Sequence, residues 1–163
     1  MGNRGGRIHD PETKSIQKRY ASKQWIYCLL DFKDRRRAVM GAGYTELFFF
    51  DEATALAAGH RPCFECQRAR AVSFARAIGV ERAGEIDARL HAERLGDKPE
   101  AETRGLPQGA MIAVGGGAFV ICGGAMRRWS FAGYGAPQTP PARAILLTPP
   151  TSLTALANGF SIG

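Results

Sequence analysis

The chain has 163 residues, 45% of them hydrophobic, enough for one domain or two small ones around a buried core. No apolar run approaches the ~20 residues that span a bilayer, and the opening stretch MGNRGGRIHDPETK lacks the apolar core of a secretory leader, so a cytoplasmic protein is expected and a membrane protein is not. A formal charge of +7 and an isoelectric point near 9.6 point to an anionic partner, nucleic acid first, with a protein partner as the alternative.

Residues 1–22 are polar and carry Arg4, Arg7, Lys14, Lys18 and Arg19, which reads as a flexible basic arm. Asp10-Pro11 marks a turn, and His9 before it is a solvated tail histidine or else a ligand or general base. Gln24 to Phe32, QWIYCLLDF, alternates as a strand with Ile26, Cys28 and Leu30 on one face and Trp25, Tyr27 and Leu29 on the other. Cys28 is there either a metal ligand or a small core residue. Lys33 to Arg37, KDRRR, reads as a charged hairpin tip whose Arg35, Arg36 and Arg37 forks suit phosphates. Ala38 to Met40 returns as a strand, the glycines at 41 and 43 break it, and Tyr44 to Phe50 forms the next, giving a small antiparallel sheet.

The chain is organised around the stretch Leu47 to Gln67, LFFFDEATALAAGHRPCFECQ. Leu47 to Phe50 reads as a buried strand, being short and bulky. Asp51 is an N-cap, Glu52 sits in the positive first turn, and Ala53, Leu56 and Ala57 share a helical face. Gly59 and Pro62 stop that helix. Cys63 and Cys66 then stand three residues apart on a tight turn, a spacing that lets two thiolates reach one tetrahedral ion. In a reducing compartment such a pair is more often half of a zinc site than a redox couple, and the surrounding pattern is not the βαβ unit of a thioredoxin.

The segment FFDEATALAAGHRPCFECQ resembles the second half of the zinc-binding N-terminal domain of the Ada DNA-repair and regulatory proteins. In that family a phenylalanine-rich strand runs into an alanine-rich helix and then into G-aromatic-R-P-C-x-x-C. The resemblance covers residues 47–67 and implies a zinc ion and a surface facing DNA. Family members hold zinc on four cysteines, one of which accepts a methyl group from a DNA phosphotriester, and their first ligand pair is spaced C-x-x-x-C. Cys28 is the only cysteine upstream of Cys63 here, so the zinc site and the DNA-facing surface carry over and methyl acceptance does not.

Beyond Cys66, Arg68 to Ile78 has helical spacing, with an apolar stripe of Ala71, Val72, Phe74, Ala75 and Ile78 and with Arg68, Arg70 and Arg76 decorating it. Gly84 to Leu95 reads as another helix. Its Asp87 and His91 lie four apart on one face, a surface pair or else a carboxylate orienting an imidazole as ligand or base. Residues 96–109 form a polar loop and the boundary between halves. Ala110 to Val114 and Ala118 to Cys122 read as strands around a glycine tip, followed by Arg127 to Phe131. Residues 132–142 read as a loop and Ile145 to Leu147 as a short strand. A last helix starts at Pro149 and Pro150 with Thr148 as its cap.

The ends of the chain echo each other: Thr54-Ala55-Leu56-Ala57 with Gly59 recurs as Thr154-Ala155-Leu156-Ala157 with Gly159, and Cys28 in WIYC answers Cys122 in FVIC. The expectation is an α+β fold of small antiparallel sheets, short helices and a Cys-x-x-Cys zinc knuckle. A zinc-binding half at 23–95 and a β-rich half at 110–163 would pack as one domain, as two related halves. Cys28, Cys63, Cys66 and Cys122 would then form a closed four-thiolate site, with His60, His91 or His9 as alternative ligands. Three classes of function suit such a chain. A zinc-stabilised nucleic-acid-binding domain would use Arg35, Arg36, Arg37, Arg61, Arg68, Arg70, Arg127 and Arg128 on phosphates and Trp25 or Trp129 on bases. An enzyme would use Cys63 as a nucleophile, or zinc-bound water with Glu65 or Glu93 as base. A non-catalytic interaction module would dock through the loop around Pro137, Pro140 and Pro141.

Overall fold

The structure, a computed structural model, describes residues 1–34 and 38–163; Arg35, Arg36 and Arg37 lie outside the described residues. It is α+β, with four helices and two sheets among the described residues. A three-stranded sheet is built from β1 (Gly2–Arg4), β2 (Trp25–Tyr27) and β3 (Arg61–Pro62), with β1–β2 antiparallel and β2–β3 parallel. A six-stranded antiparallel sheet has the order β4 (Glu100–Glu102), β9 (Arg143–Leu146), β5 (Met111–Val114), β6 (Gly117–Cys122), β7 (Ala125–Ser130), β8 (Gly133–Gln138). No helix among the described residues is long and apolar enough to cross a membrane.

The larger sheet obeys its local sequence. Gly115 and Gly116 have φ of +55° and +75°, and Gly123 and Gly124 have +59° and +77°, the left-handed pairs that two-residue hairpin turns require. Alternation then sorts the side chains: Ile112, Phe119, Ile121, Met126 and Leu146 fill one core cluster, while Met111 and Val120 meet Ala53 on the opposite face. Two stretches read as loops are strands. Residues 133–138 form β8 and residues 100–102 form β4, the two edges of the sheet. An edge tolerates Pro137, which offers no N–H to a ladder, and that is why a Gly- and Pro-rich stretch pairs here.

The N-terminal region departs further from expectation. Residues 2–4 are a strand and not a free arm, and Ile8 and His9 are buried. Gly2 exchanges backbone hydrogen bonds with Leu47 at 2.6 and 2.8 Å, and a Cβ at Gly2 would lie 2.5 Å from the Phe49 ring, so only glycine fits. The His9 ring lies 2.6 Å from Thr45 Oγ1 and 3.1 Å from the Gly41 carbonyl, which makes it a pin between distant loops. Ala38 to Met40 and Tyr44 to Phe50 are not strands; among the described residues their β-bridge is at Leu47, and Phe48 and Phe50 are exposed. The strand read over Gln24 to Phe32 shortens to β2, since β3 offers it only two partners.

Four helices cover the sheets: α1 (Glu52–Ala57), α2 (Arg68–Ala77), α3 (Ala83–Leu95) and α4 (Pro150–Ala157). Asp51 caps α1 through a reciprocal pair of hydrogen bonds with Thr54. Its other carboxylate oxygen accepts from the Tyr134 hydroxyl at 2.6 Å, which ties β8 to α1. Thr148 does not cap α4; its hydroxyl accepts the buried Met111 N–H at 2.8 Å. The α4 terminus is held instead by the Glu93 carboxylate, which accepts from the Thr151 N–H at 3.1 Å and hydroxyl at 2.6 Å. The helical core joins Tyr27, Leu56, Phe74, Ile86 and Leu90 to Leu156 and Phe160, so both ends of the chain share it. The internal echo survives as α1 and α4, each followed by a left-handed glycine, Gly59 at +76° and Gly159 at +90°. The sheets beside them are built differently.

Candidate metal centre

Parallel pairing of β2 with β3 sets the site. Ile26 stands beside Arg61 and Tyr27 beside Pro62, so Cys28 and Cys63 leave the two strands side by side. The Cys63 N–H donates to the Tyr27 carbonyl at 3.0 Å. The chain then turns tightly: the Gln67 N–H donates to the Cys63 carbonyl at 3.1 Å, and the Gln67 amide donates to the Tyr27 carbonyl at 3.0 Å. That turn swings Cys66 back, and the sulfurs of Cys28, Cys63 and Cys66 all lie within 4.8 Å of one another. Backbone N–H groups support two of them, Glu65 to Cys63 Sγ and Leu29 to Cys66 Sγ, each at 3.4 Å.

The protons on this cluster are unevenly held. The Cys28 thiol donates to Cys63, and backbone N–H groups of Cys66 and Glu65 add to it, holding the Cys63 thiol down to about 5. Cys28 is pushed up, first by giving that hydrogen bond and then by burial. Cys66 is pushed up by burial and by the negative charge of Cys63. Three thiolates this close repel one another strongly unless a cation sits between them. Three soft donors with backbone N–H support therefore fit a thiophilic metal ion.

The other expected ligands lie elsewhere. Cys122 is exposed at the end of β6, in the other sheet. His60 is fully buried between Trp25 and Phe49, with Nδ1 3.1 Å from the Ala58 carbonyl. Burial, with Arg4 and Arg94 nearby, lowers its pKa to about 3. His91 sits edge-on to Tyr20 with ring centroids 5.0 Å apart. Asp87 does not orient it, because both Asp87 oxygens accept from Arg61, at 2.8 and 2.9 Å.

The arginines divide in the same way. Arg61 is not a phosphate contact: it is buried, paired to Asp87, bonded to the Pro62 carbonyl at 3.1 Å and set over the Phe64 ring, a clamp between β3 and α3. Arg70 is engaged by Glu52 and donates to the Ser161 carbonyl at 2.8 Å. Arg127 donates to the Gly135 carbonyl at 3.2 Å within its own hairpin. Arg68 and Arg128 are exposed. Trp25 is buried with Arg4 and Arg94 stacked on it at 4.3 and 4.1 Å, so it cannot meet a base. Glu93 is occupied at α4 and is no general base.

A cavity of about 440 Å³ opens on the three thiols. Leu29, Leu30, Phe32, Val39 and Phe48 give it apolar walls, and Glu46, Glu65 and the Met1 ammonium are charged groups of its lining. Glu46 is itself buried and accepts the Met40 N–H at 2.8 Å. Sequence reasoning finds the thiols and misses this cavity. Its signal is the apolar excess of Leu29-Leu30 and Phe48, too greasy for hairpin flanks. No family model, curated protein or solved structure matches the chain.

Proposed function

We propose that this protein binds one zinc ion through Cys28, Cys63 and Cys66, and that the ion keeps a fourth coordination position open to the adjoining cavity. The convergence of three thiols from two chain segments carries this reading. Zinc is favoured as the ion by the thiol donor set and by the likeness of residues 47–67 to the Ada zinc domain. Structural zinc sites are closed by four protein ligands, whereas sites that bind or transform an external molecule keep three. Cys122, His9, His60 and His91 are each placed or hydrogen-bonded away from the cluster, which supports a three-ligand centre. Elemental analysis of the purified chain tests it. One zinc per chain is expected, lost in each of Cys28→Ser, Cys63→Ser and Cys66→Ser and kept in Cys122→Ser. Loss of metal in Cys122→Ser would instead indicate a four-cysteine site.

A second reading, contact with single-stranded nucleic acid, is favoured by the β7–β8 turn. Phe131 is 92% exposed there, edge-on to the half-buried Trp129 with ring centroids 4.9 Å apart, on a chain of net charge +7. An exposed ring on a basic chain offers a surface on which a base stacks, at roughly 1–3 kcal/mol per base. Fluorescence anisotropy with a short labelled single strand should show binding that weakens with salt and weakens further in Phe131→Ala. Equal affinity of Phe131→Ala and the unaltered chain would remove the turn from the interface.

A further inference from the structure

We propose that the cavity over the thiols receives a small neutral molecule with an apolar body and one lone-pair donor, a ring nitrogen or thioether sulfur, which completes the metal's coordination. The inference rests on the zinc reading above and adds the class of ligand. Geometry comes first: Cys28, Cys63 and Cys66 line the same cavity as Leu29, Leu30 and Phe48, so an occupant meets the metal position and the apolar wall together. At about 440 Å³ the cavity falls within the roughly 300–1,000 Å³ typical of small-molecule sites.

Exposure points the same way. Four large apolar side chains that stand open to solvent, Leu29 at 46%, Leu30 at 75%, Val39 at 57% and Phe48 at 60%, all line this one cavity. Clustered exposed apolar surface marks a site that something covers. Charge then narrows the occupant. A divalent ion with three thiolates carries a net negative charge, and Glu46 and Glu65 line the same space. An anionic donor would meet the like charge of the metal–thiolate group and of Glu46 and Glu65, offset among the described residues by the Met1 ammonium, and a protonated amine has no lone pair to give. A neutral donor on an apolar body satisfies the metal, the walls and the carboxylates together.

The test uses the full chain with cobalt(II) in place of zinc, since the visible bands of cobalt report its coordination directly. The probes are 1-benzylimidazole, imidazole and 4-(imidazol-1-yl)benzoate, the last an anionic near-isostere of the first. 1-Benzylimidazole should shift the cobalt bands and bind about tenfold or more tighter than imidazole, as burial of a phenyl ring predicts. It should also outbind the benzoate. Leu30→Ala and Phe48→Ala, both at exposed positions, should keep cobalt and lose most of the preference for the benzyl group. Equal affinities for benzylimidazole and imidazole, or cobalt bands that no probe moves, would overturn the inference while leaving the metal reading intact. Failure to bind cobalt at all would overturn both.

Discussion

In the six-stranded sheet, β5, β6, β7 and β8 are neighbours in space because they are neighbours in sequence, joined by short turns. In the three-stranded sheet, residues 2–4, 25–27 and 61–62 meet across long stretches of chain whose described residues form no further strands. Polar pins hold those stretches: His9 to Thr45, Glu46 to Met40, and Arg94 to the carbonyls of Gly59 and Lys23. The first region is stable by local rule and the second by specific distant contacts. The thiol cluster lies in the second, where side chains from two distant segments can be brought to a point.

The largest effect that sharpens this contrast is at the thiols. Serine at position 28, 63 or 66 should weaken zinc at least about 100-fold in competition with a chelator, more than loss of a supporting hydrogen bond costs. Serine at 122, on the local sheet, should change nothing.

Next come the ion pairs. Asp87→Ala leaves the Arg61 guanidinium buried without its partner and should cost about 3–5 kcal/mol in urea unfolding. The matching change on the other sheet, Glu100→Ala, breaks an exposed pair with Arg143 and should cost less than about 1 kcal/mol. Equal costs would erase the distinction between the regions.

These contrasts also explain what the sequence could disclose. Gly115-Gly116 names its turn by itself, and α1 announces its cap through Asp51, so those elements were legible. The pinning of His9 to Thr45 joins residues 36 apart and has no local signature, so residues 1–22 read as an arm. The pairing of Cys63 with Cys66 was legible by spacing. Cys28 was legible only by type, because the parallel register that sets it beside Cys63 is a tertiary fact. Cys122 shared the type but belongs to the other sheet. Arg61 read as a free cation because nothing near it in sequence reveals Asp87.

A smaller effect concerns acid. His60 is buried neutral with its pKa lowered to about 3, while the unfolded chain takes up that proton near 6.5. Between those values the unfolded state holds the extra proton, so stability falls as pH drops through this window and levels off below it. The slope from this one group is at most about 1.4 kcal/mol per pH unit. Urea midpoints measured from pH 7 to pH 4 should fall less steeply in His60→Phe than in the unaltered chain. The smallest effect is at Phe131: alanine there should shift stability by no more than about 0.5 kcal/mol, since the ring is 92% exposed.

X-ray absorption at the zinc edge of the purified, metal-loaded chain reads the ligand set itself. The account predicts about three sulfur neighbours near 2.3 Å and one lighter atom in the remaining position. A shell of four sulfurs, or a chain that takes up no metal, would contradict it.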